Sequence, residues 1–330
     1  MKFGPVPVAE AEGSILAHSL KLPSGVLKKG RLLDAQDVAQ IRAAAIDDVI
    51  VARLGPGDVE ENAAAAQLAK AIAPDPDAAN LRLADPFTGR VNLYAKRAGL
   101  VALDIAAVHA LNRVNPMITL ATPRPYKRVA AGALVGTVKI ISYAVPDSDL
   151  DAACRAAAHA LRVQPAVLAD ATLILTDLPG AVDSAKGEAA VAGRLDALGV
   201  ALIETLRVPH AADAVRDAVA RAKGALILIL TASATSDPAD VAPDGVVQAG
   251  GTLVHFGMPV DPGNLLFLAD YQARPVIGLP GCARSPALNG ADWVMERVLC
   301  GVPVKSDDIA AMGVGGLLKE IKTRPQPREG

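Results

Sequence analysis

Cysteine is scarce in this chain of 330 residues, with Cys154, Cys282 and Cys300 the only three. So odd and sparse a set excludes a disulfide framework of the secreted kind and fits a reducing cytoplasm. No Cys-x-x-Cys pair occurs and the five histidines are scattered, so no structural zinc site is written in the sequence. An excess of one charge is missing as well. Lys and Arg number 33 against 35 Asp and Glu, a net charge of −2, which leaves no footprint for nucleic acid or an acidic membrane surface. The longest apolar run, 225–230, holds six residues, whereas a helix needs about 20 to span a bilayer. The opening MKFGPVPVAEAEG lacks the apolar centre of a signal peptide. Aromatic residues make up 3%, so cores must be assembled from Ala, Val, Leu and Ile. GVGG at 313–316 misses the dinucleotide fingerprint, because Leu318 takes the last glycine place. Neither GxxxxGK[ST] nor GxSxG is present. The expectation is a soluble cytoplasmic protein that contacts neither membrane nor nucleic acid.

What is present has a change of rhythm. Up to about residue 75 the chain reads as a small α+β domain. It has a helix capped near Asp34, a strand at 48–52 and an Ala-rich helix beginning near Asp58. PDPDAAN after Ala73 reads as a linker. A mixed α/β segment at 76–165 carries strands around 91–94 and 137–143 and a helix near 105–114. From about 166 to 305 the pattern turns regular, as ATLILT, ALIETL and ALILIL alternate with helices at 184–198 and 212–222, and a helix at 292–300 closes the unit. Such alternation predicts a mostly parallel sheet with helices on both faces, a three-layer α/β/α domain. Residues 306–330 read as a last helix and a linker ending in RPQPREG.

In an open α/β sheet, ligands bind beyond the carboxyl ends of the strands, which directs attention to the segments that follow the apolar runs. After 225–230 comes TASATSDPAD, with hydroxyls on Ser233, Thr235 and Ser236, a small Ala234, and carboxylates on Asp237 and Asp240. Small residues let a planar ligand approach the backbone, and a carboxylate accepts from ring N–H groups. The same residue types also cap helices, so Asp237 or Asp240 equally fits the start of one. VDPGN at 260–264 and LPGCARSP at 279–286 each place glycine just past an apolar run, where backbone N–H groups cradle anions. Arg284 reads as the only cation close to either loop, and a guanidinium suits phosphate. Cys282 has no base near it in sequence, which disfavours a nucleophile. TDLPG at 176–180 ends the first strand of the same sheet and should face the same crevice, with Lys186 six residues on.

TASATSDPAD, QAGG at 248–251, GMPVDPGN and GLPG at 278–281, in that order, resemble the molybdopterin-binding domain of molybdenum-cofactor biosynthesis proteins. That family includes molybdotransferases, adenylyltransferases and the related domains of gephyrin. The resemblance covers about 172–301, and VPVAEAEGSILAHSL near the N-terminus also looks like the opening of molybdotransferase-type proteins. ASATSD, HFGMPVDPGNLL and GCARSP look closer to a bacterial branch in which this domain precedes a cytidylyltransferase-like domain. The resemblance implies a molybdopterin or molybdenum-cofactor ligand held by Thr176, Asp177, Gly180, Ser233, Ala234, Thr235, Ser236, Pro262, Gly263, Asn264, Gly281, Cys282, Arg284 and Ser285. In that arrangement the pterin lies over 233–240 and its phosphate among the N–H groups of Gly263, Asn264 and Gly281. Asp237 and Asp240 are the implied catalytic acids for molybdate or nucleotidyl transfer, with Asp240 on Mg²⁺. It also implies a homo-oligomer and, as partners, a nucleotidyltransferase domain or molybdoenzyme maturation proteins. The departures remove charge from the expected pattern: Ser233-Ala234 replaces a double glycine, Asp261 a lysine, Pro179 an acid, and 208–210 lacks an acidic pair. Binding is therefore better supported than catalysis, and a non-catalytic carrier or sensor is the competing reading. An unrelated dehydrogenase is disfavoured by the absent glycine fingerprint.

Overall fold

The computed structural model describes residues 1–179 and 185–318. The chain folds as a mixed α/β protein and divides into two compact units, 1–97 with 101–163, and 98–100 with 164–330.

The first unit contains two hydrophobic clusters. One, built from Val8, Leu16, Leu33, Ile41, Val49 and Val51 among others, lies between the helix Ala35–Ala43 and a three-stranded antiparallel sheet centred on Asp48–Arg53. Asp34 caps this helix as expected, in a reciprocal capping box with Asp37. The other cluster runs from Ala64 to Val163 and includes the Ala-rich helix Glu61–Ile72. That helix starts three residues later than Asp58, because Asp58–Glu60 forms a strand against Ala144–Pro146 and Glu60 supplies the cap. Residues 74–80 are not a linker. They form hydrogen-bonded turns, closed by Leu81 N–H on the Pro76 carbonyl, and Leu81 is fully buried. The strand placed at 137–143 is Leu134–Ile140, while the helix Ile105–Val114 lies where periodicity put it. Residues 147–157 form a helix the apolar pattern did not reveal, one whose buried stripe is mostly alanine.

The second unit is built on a six-stranded sheet in the order 201–209, 170–177, 226–230, 274–279, 267–271, 252–256. The first four strands are parallel and the last two pair antiparallel. Two reversals return Thr252–Phe256 to the direction of the parallel set, so its carboxyl end lies on the same edge. Alternation along the strands sorts side chains to opposite faces. Leu173, Leu175, Leu226, Leu228, Leu230, Ile277 and Leu279 fill one core with the helices Ala185–Asp196 and Gly290–Leu299. Ile174, Ile227, Ile229 and Val276 fill the other with the helices Ala212–Arg221 and Val241–Gln248. With every residue of Leu226–Leu230 buried, each contributes on the order of 1.5–3 kcal/mol of transfer free energy. Gly278 is glycine for a packing reason. It pairs with Phe267, and a Cβ there would lie 1.9 Å from the phenyl ring. This is the three-layer arrangement that the alternating runs predict.

Candidate functional site

The connections of this sheet reverse direction at one point. Strand Asp170–Asp177 leads to Ala201–Pro209 on one side, and the chain then crosses to Leu226–Leu230 on the other. A crevice opens at such a switch point beyond the carboxyl ends, and ligands of doubly wound folds sit there. TDLP, TASATSDPAD, VDPGN and LPGCARSP all leave the sheet on this edge.

Thr176 stands at the switch point, 2% exposed. Its hydroxyl accepts the Ala232 N–H at 2.8 Å and lies 2.9 Å from His210 Nδ1. Asp177 ends the strand, and its carbonyl accepts the His210 N–H at 3.0 Å. Three adjacent strands are thus tied together at their carboxyl ends. Gly180 lies outside the described residues.

The hydroxyl loop is internally organised. Thr231 donates to the Ser233 carbonyl at 2.6 Å and lies 3.3 Å from the buried Thr235 hydroxyl. Ser233, Ala234 and Ser236 are exposed. Asp240 caps the helix Val241–Gln248, its two oxygens accepting the N–H groups of Val241 at 2.7 Å and Ser236 at 2.9 Å. Asp237 accepts the Ala239 N–H at 2.8 Å. Both carboxylates therefore close local turns, as helix-start residues do. Among the described residues no three His, Cys, Asp or Glu side chains gather in a way that could hold a metal ion.

LPGCARSP leaves its strand through the short 3₁₀ turn Gly281–Arg284. Gly281 is exposed, with open space where a Cβ would be. Cys282 and Ser285 are half-buried, and the Ser285 N–H donates to the Cys282 carbonyl. Arg284 donates through Nη2 to the Thr231 carbonyl at 2.7 Å, which joins this loop to the hydroxyl loop. Arg284 is not the only cation here. Arg194, on the helix Ala185–Asp196, is 8% exposed and donates to Asp292 and to the carbonyls of Ala190, Ala283, Ser285 and Ala287. It thereby fixes the shape of the whole LPGCARSP loop. Ninety residues separate it from that loop, so sequence order could not point to it. His210 was missed for a different reason, since position 208–210 registered only as a missing acidic pair.

VDPGN meets the far end of the same loop. The Pro262 carbonyl, after a cis Asp261-Pro262 bond, accepts the Gly290 N–H at 2.8 Å. Gly263 has φ +140°, and a Cβ there would lie 2.5 Å from Gly290 N. Its glycine serves a close backbone approach. Asn264 exchanges bonds with Met258 through backbone and side chain. The structure therefore brings Thr176, Asp177, Ala232 and Arg284 together around the switch point, while Pro262, Gly263 and Asn264 brace the neighbouring loop.

A second concavity, a cleft of about 320 Å³ lined by Val254, Leu268, Ala269, Pro275, Val302 and Val304, lies towards the amino ends of the parallel strands. It includes none of the loop residues above. The half-buried Cys154 and the buried Cys300 are unreactive by environment, since desolvation pushes Cys154 up to about 11 and Cys300 up to about 12. No helix among the described residues is long and apolar enough to cross a membrane.

Residues 5–53 match a family described as a domain of unknown function (DUF8806). No curated protein matches the chain. Among solved structures it is similar to a molybdopterin biosynthesis MoeA protein from Pyrococcus horikosii, 12% identical over 93% of this chain and 75% of that one, with a TM-score of 0.29. A molybdenum cofactor biosynthesis protein from Pyrococcus furiosus is 13% identical over 94% of this chain and 65% of its own, with a TM-score of 0.24. Neither likeness is close enough to bear on function.

Proposed function

We propose that this chain binds molybdopterin, or a molybdenum-loaded or nucleotide form of it, at the carboxyl edge of the six-stranded sheet, and that it serves molybdenum-cofactor biosynthesis. The observation that carries the reading is convergence. Three of the four segments that resemble the molybdopterin-binding family, TASATSDPAD, GMPVDPGN and GLPG, leave one sheet edge, and the first and last of them meet beside its topological switch point, while QAGG lies at the opposite edge, ahead of Thr252–Phe256. The exposed residues Ser233, Ala234 and Ser236 offer a small-residue surface for a planar ring. Gly281, exposed and with open space where a Cβ would lie, and the Arg284 guanidinium on the same short turn suit a phosphate.

A non-catalytic carrier is the second reading, and the carboxylates favour it. Asp237 and Asp240 are engaged by backbone N–H groups, and Asp240 has both oxygens occupied. That donor set does not fit a resident Mg²⁺, which asks for carboxylate oxygens free to coordinate in a near-octahedral shell. A carrier would hand its ligand to a nucleotidyltransferase domain or to a maturation protein of a molybdoenzyme.

The test is anaerobic binding of molybdopterin by calorimetry, with and without molybdate and Mg-ATP or Mg-CTP, followed by product analysis. Binding without conversion identifies the carrier. Conversion to an adenylylated, cytidylylated or metal-loaded product makes the chain an enzyme, and no binding removes the pterin reading.

A further inference from the structure

We infer that His210 is a ligand-contacting residue, whose Nε2–H donates a hydrogen bond to an oxyanion of the ligand bound at the switch point. The inference rests on the proposed binding site and adds to it a residue and a class of partner atom.

Thr176 is 2% exposed and one lone pair of its hydroxyl takes the Ala232 N–H. A buried hydroxyl also needs an acceptor for its own proton. His210 Nδ1, at 2.9 Å, is in position to accept it. Nδ1 then carries no hydrogen, and the neutral ring holds its proton on Nε2. The two ring nitrogens lie on opposite sides of the imidazole, so Nε2 is turned away from Thr176. His210 itself is half-buried, and among the described residues no protein group bonds Nε2. The backbone is held too, by the His210 N–H on the Asp177 carbonyl.

The other end of the same strand shows what a purely structural version looks like. Thr172 accepts the Gly224 N–H and donates to Glu204, and that carboxylate oxygen is then closed by the Lys223 N–H. At Thr176 the relay ends in a donor that no described residue closes. The same edge carries the donors of the Arg284 guanidinium, while backbone N–H groups take both carboxylate oxygens of Asp240 and one of Asp237. An edge of donors selects a ligand rich in acceptor oxygens, which a phosphate group and molybdate both are.

The experiment uses the full chain labelled with ¹⁵N-histidine. Ring correlation spectra are recorded alone and with inorganic phosphate, sodium molybdate or molybdopterin, and affinities are measured for the wild type, H210N and H210Q. Before ligand, the His210 ring should show an unprotonated Nδ1 and a protonated Nε2. An oxyanion should shift the Nε2–H signal, and whichever of phosphate and molybdate saturates at lower concentration names the source. H210N keeps an acceptor facing Thr176 but lacks the outward arm, so molybdopterin affinity should fall about ten- to hundredfold. H210Q, whose amide reaches the Nε2 position, should recover part of the loss, while thermal melts confirm that both variants fold. A proton on Nδ1, or unchanged affinity of H210N where the wild type binds, overturns the inference and leaves the binding site standing. If the wild type binds no molybdopterin, the proposed function falls instead. The phosphate and molybdate spectra then decide His210 independently, a shifted Nε2–H upholding it and a silent one overturning it.

Discussion

Thr172 and Thr176 stand four residues apart on one face of one strand and repeat one arrangement at its two ends. Each hydroxyl accepts a backbone N–H from the chain flanking Leu226–Leu230, Gly224 before it and Ala232 after it. Each then reaches a side chain from the neighbouring strand Ala201–Pro209 or its exit, Glu204 at one end and His210 at the other. At the amino edge the hydrogen bonds around Thr172 are closed. Lys223 N–H seals Glu204, Asp170 takes the Ala225 N–H, and Arg274 donates to the Ala222 carbonyl. The carboxyl edge is not closed, since Gly281 faces open space and His210 Nε2 bonds no described residue. The same hydrogen-bonding device serves stability where all partners are protein and recognition where the last partner is left to a ligand.

The strongest way to break this comparison is to remove what holds the open edge in shape. Arg194→Met leaves Asp292 and four carbonyls without their buried donor. Breaking a buried ion pair of this kind should cost about 3–5 kcal/mol in urea unfolding. The edges should next differ in their tolerance of a methyl group. At Gly224 a Cβ would lie 2.3 Å from Thr172 N, whereas at Gly281 nothing lies within 4 Å. Gly224→Ala should cost about 1–3 kcal/mol through overpacking. Gly281→Ala should stay within about 0.5 kcal/mol in the same assay and lower ligand affinity instead.

The two threonines sharpen the contrast. Thr172→Val strands the Gly224 N–H and an acceptor on Glu204, with an expected loss of about 1–3 kcal/mol. Thr176→Val strands the Ala232 N–H but leaves His210 able to turn to water, so its loss should be smaller. Equal losses in a denaturant titration would contradict the distinction between closed and open edges. The smallest effect is expected from Glu204. Burial alone would raise its carboxyl, but the Lys223 N–H, the Thr172 hydroxyl and the charges of Lys223 and Arg221 hold it below the usual range. A carboxyl lowered on folding contributes stability above its unfolded pKa, and that contribution disappears as pH falls through its folded value. Melting temperature should therefore drop less steeply in Glu204→Gln than in wild type on going from about pH 5 to pH 3.

Much of the second unit was legible in advance because its strands are short apolar runs between periodic helices. ATLILT, ALIETL and ALILIL each became a strand, and the helices 212–221 and 290–299 lie within two residues of their expected starts. The first unit was harder. The Ala-rich helix Glu61–Ile72 was legible apart from its start, but Asp147–Ala157 buries mostly alanine, so the apolar stripe that marks a helix is faint there, and turns at 74–80 resembled a linker by composition. At the site, the positions of the loops were readable, but the duties of individual residues were not. Asp240 is a helix cap, one of the two roles its sequence left open, Gly263 is a packing glycine, and Arg194 is a scaffold ninety residues from what it holds.

The sequence by itself determined which segments form the parallel strands and which loops must leave their carboxyl ends, because the central strands, buried on both faces, demand uninterrupted apolar runs. The tertiary structure alone decided strand order, and with it the switch point that sets Thr176 between Ala232 and His210. Strand order follows from how helices pack across both faces of the sheet. That packing depends on contacts between residues far apart in the chain, which no local pattern of residues records.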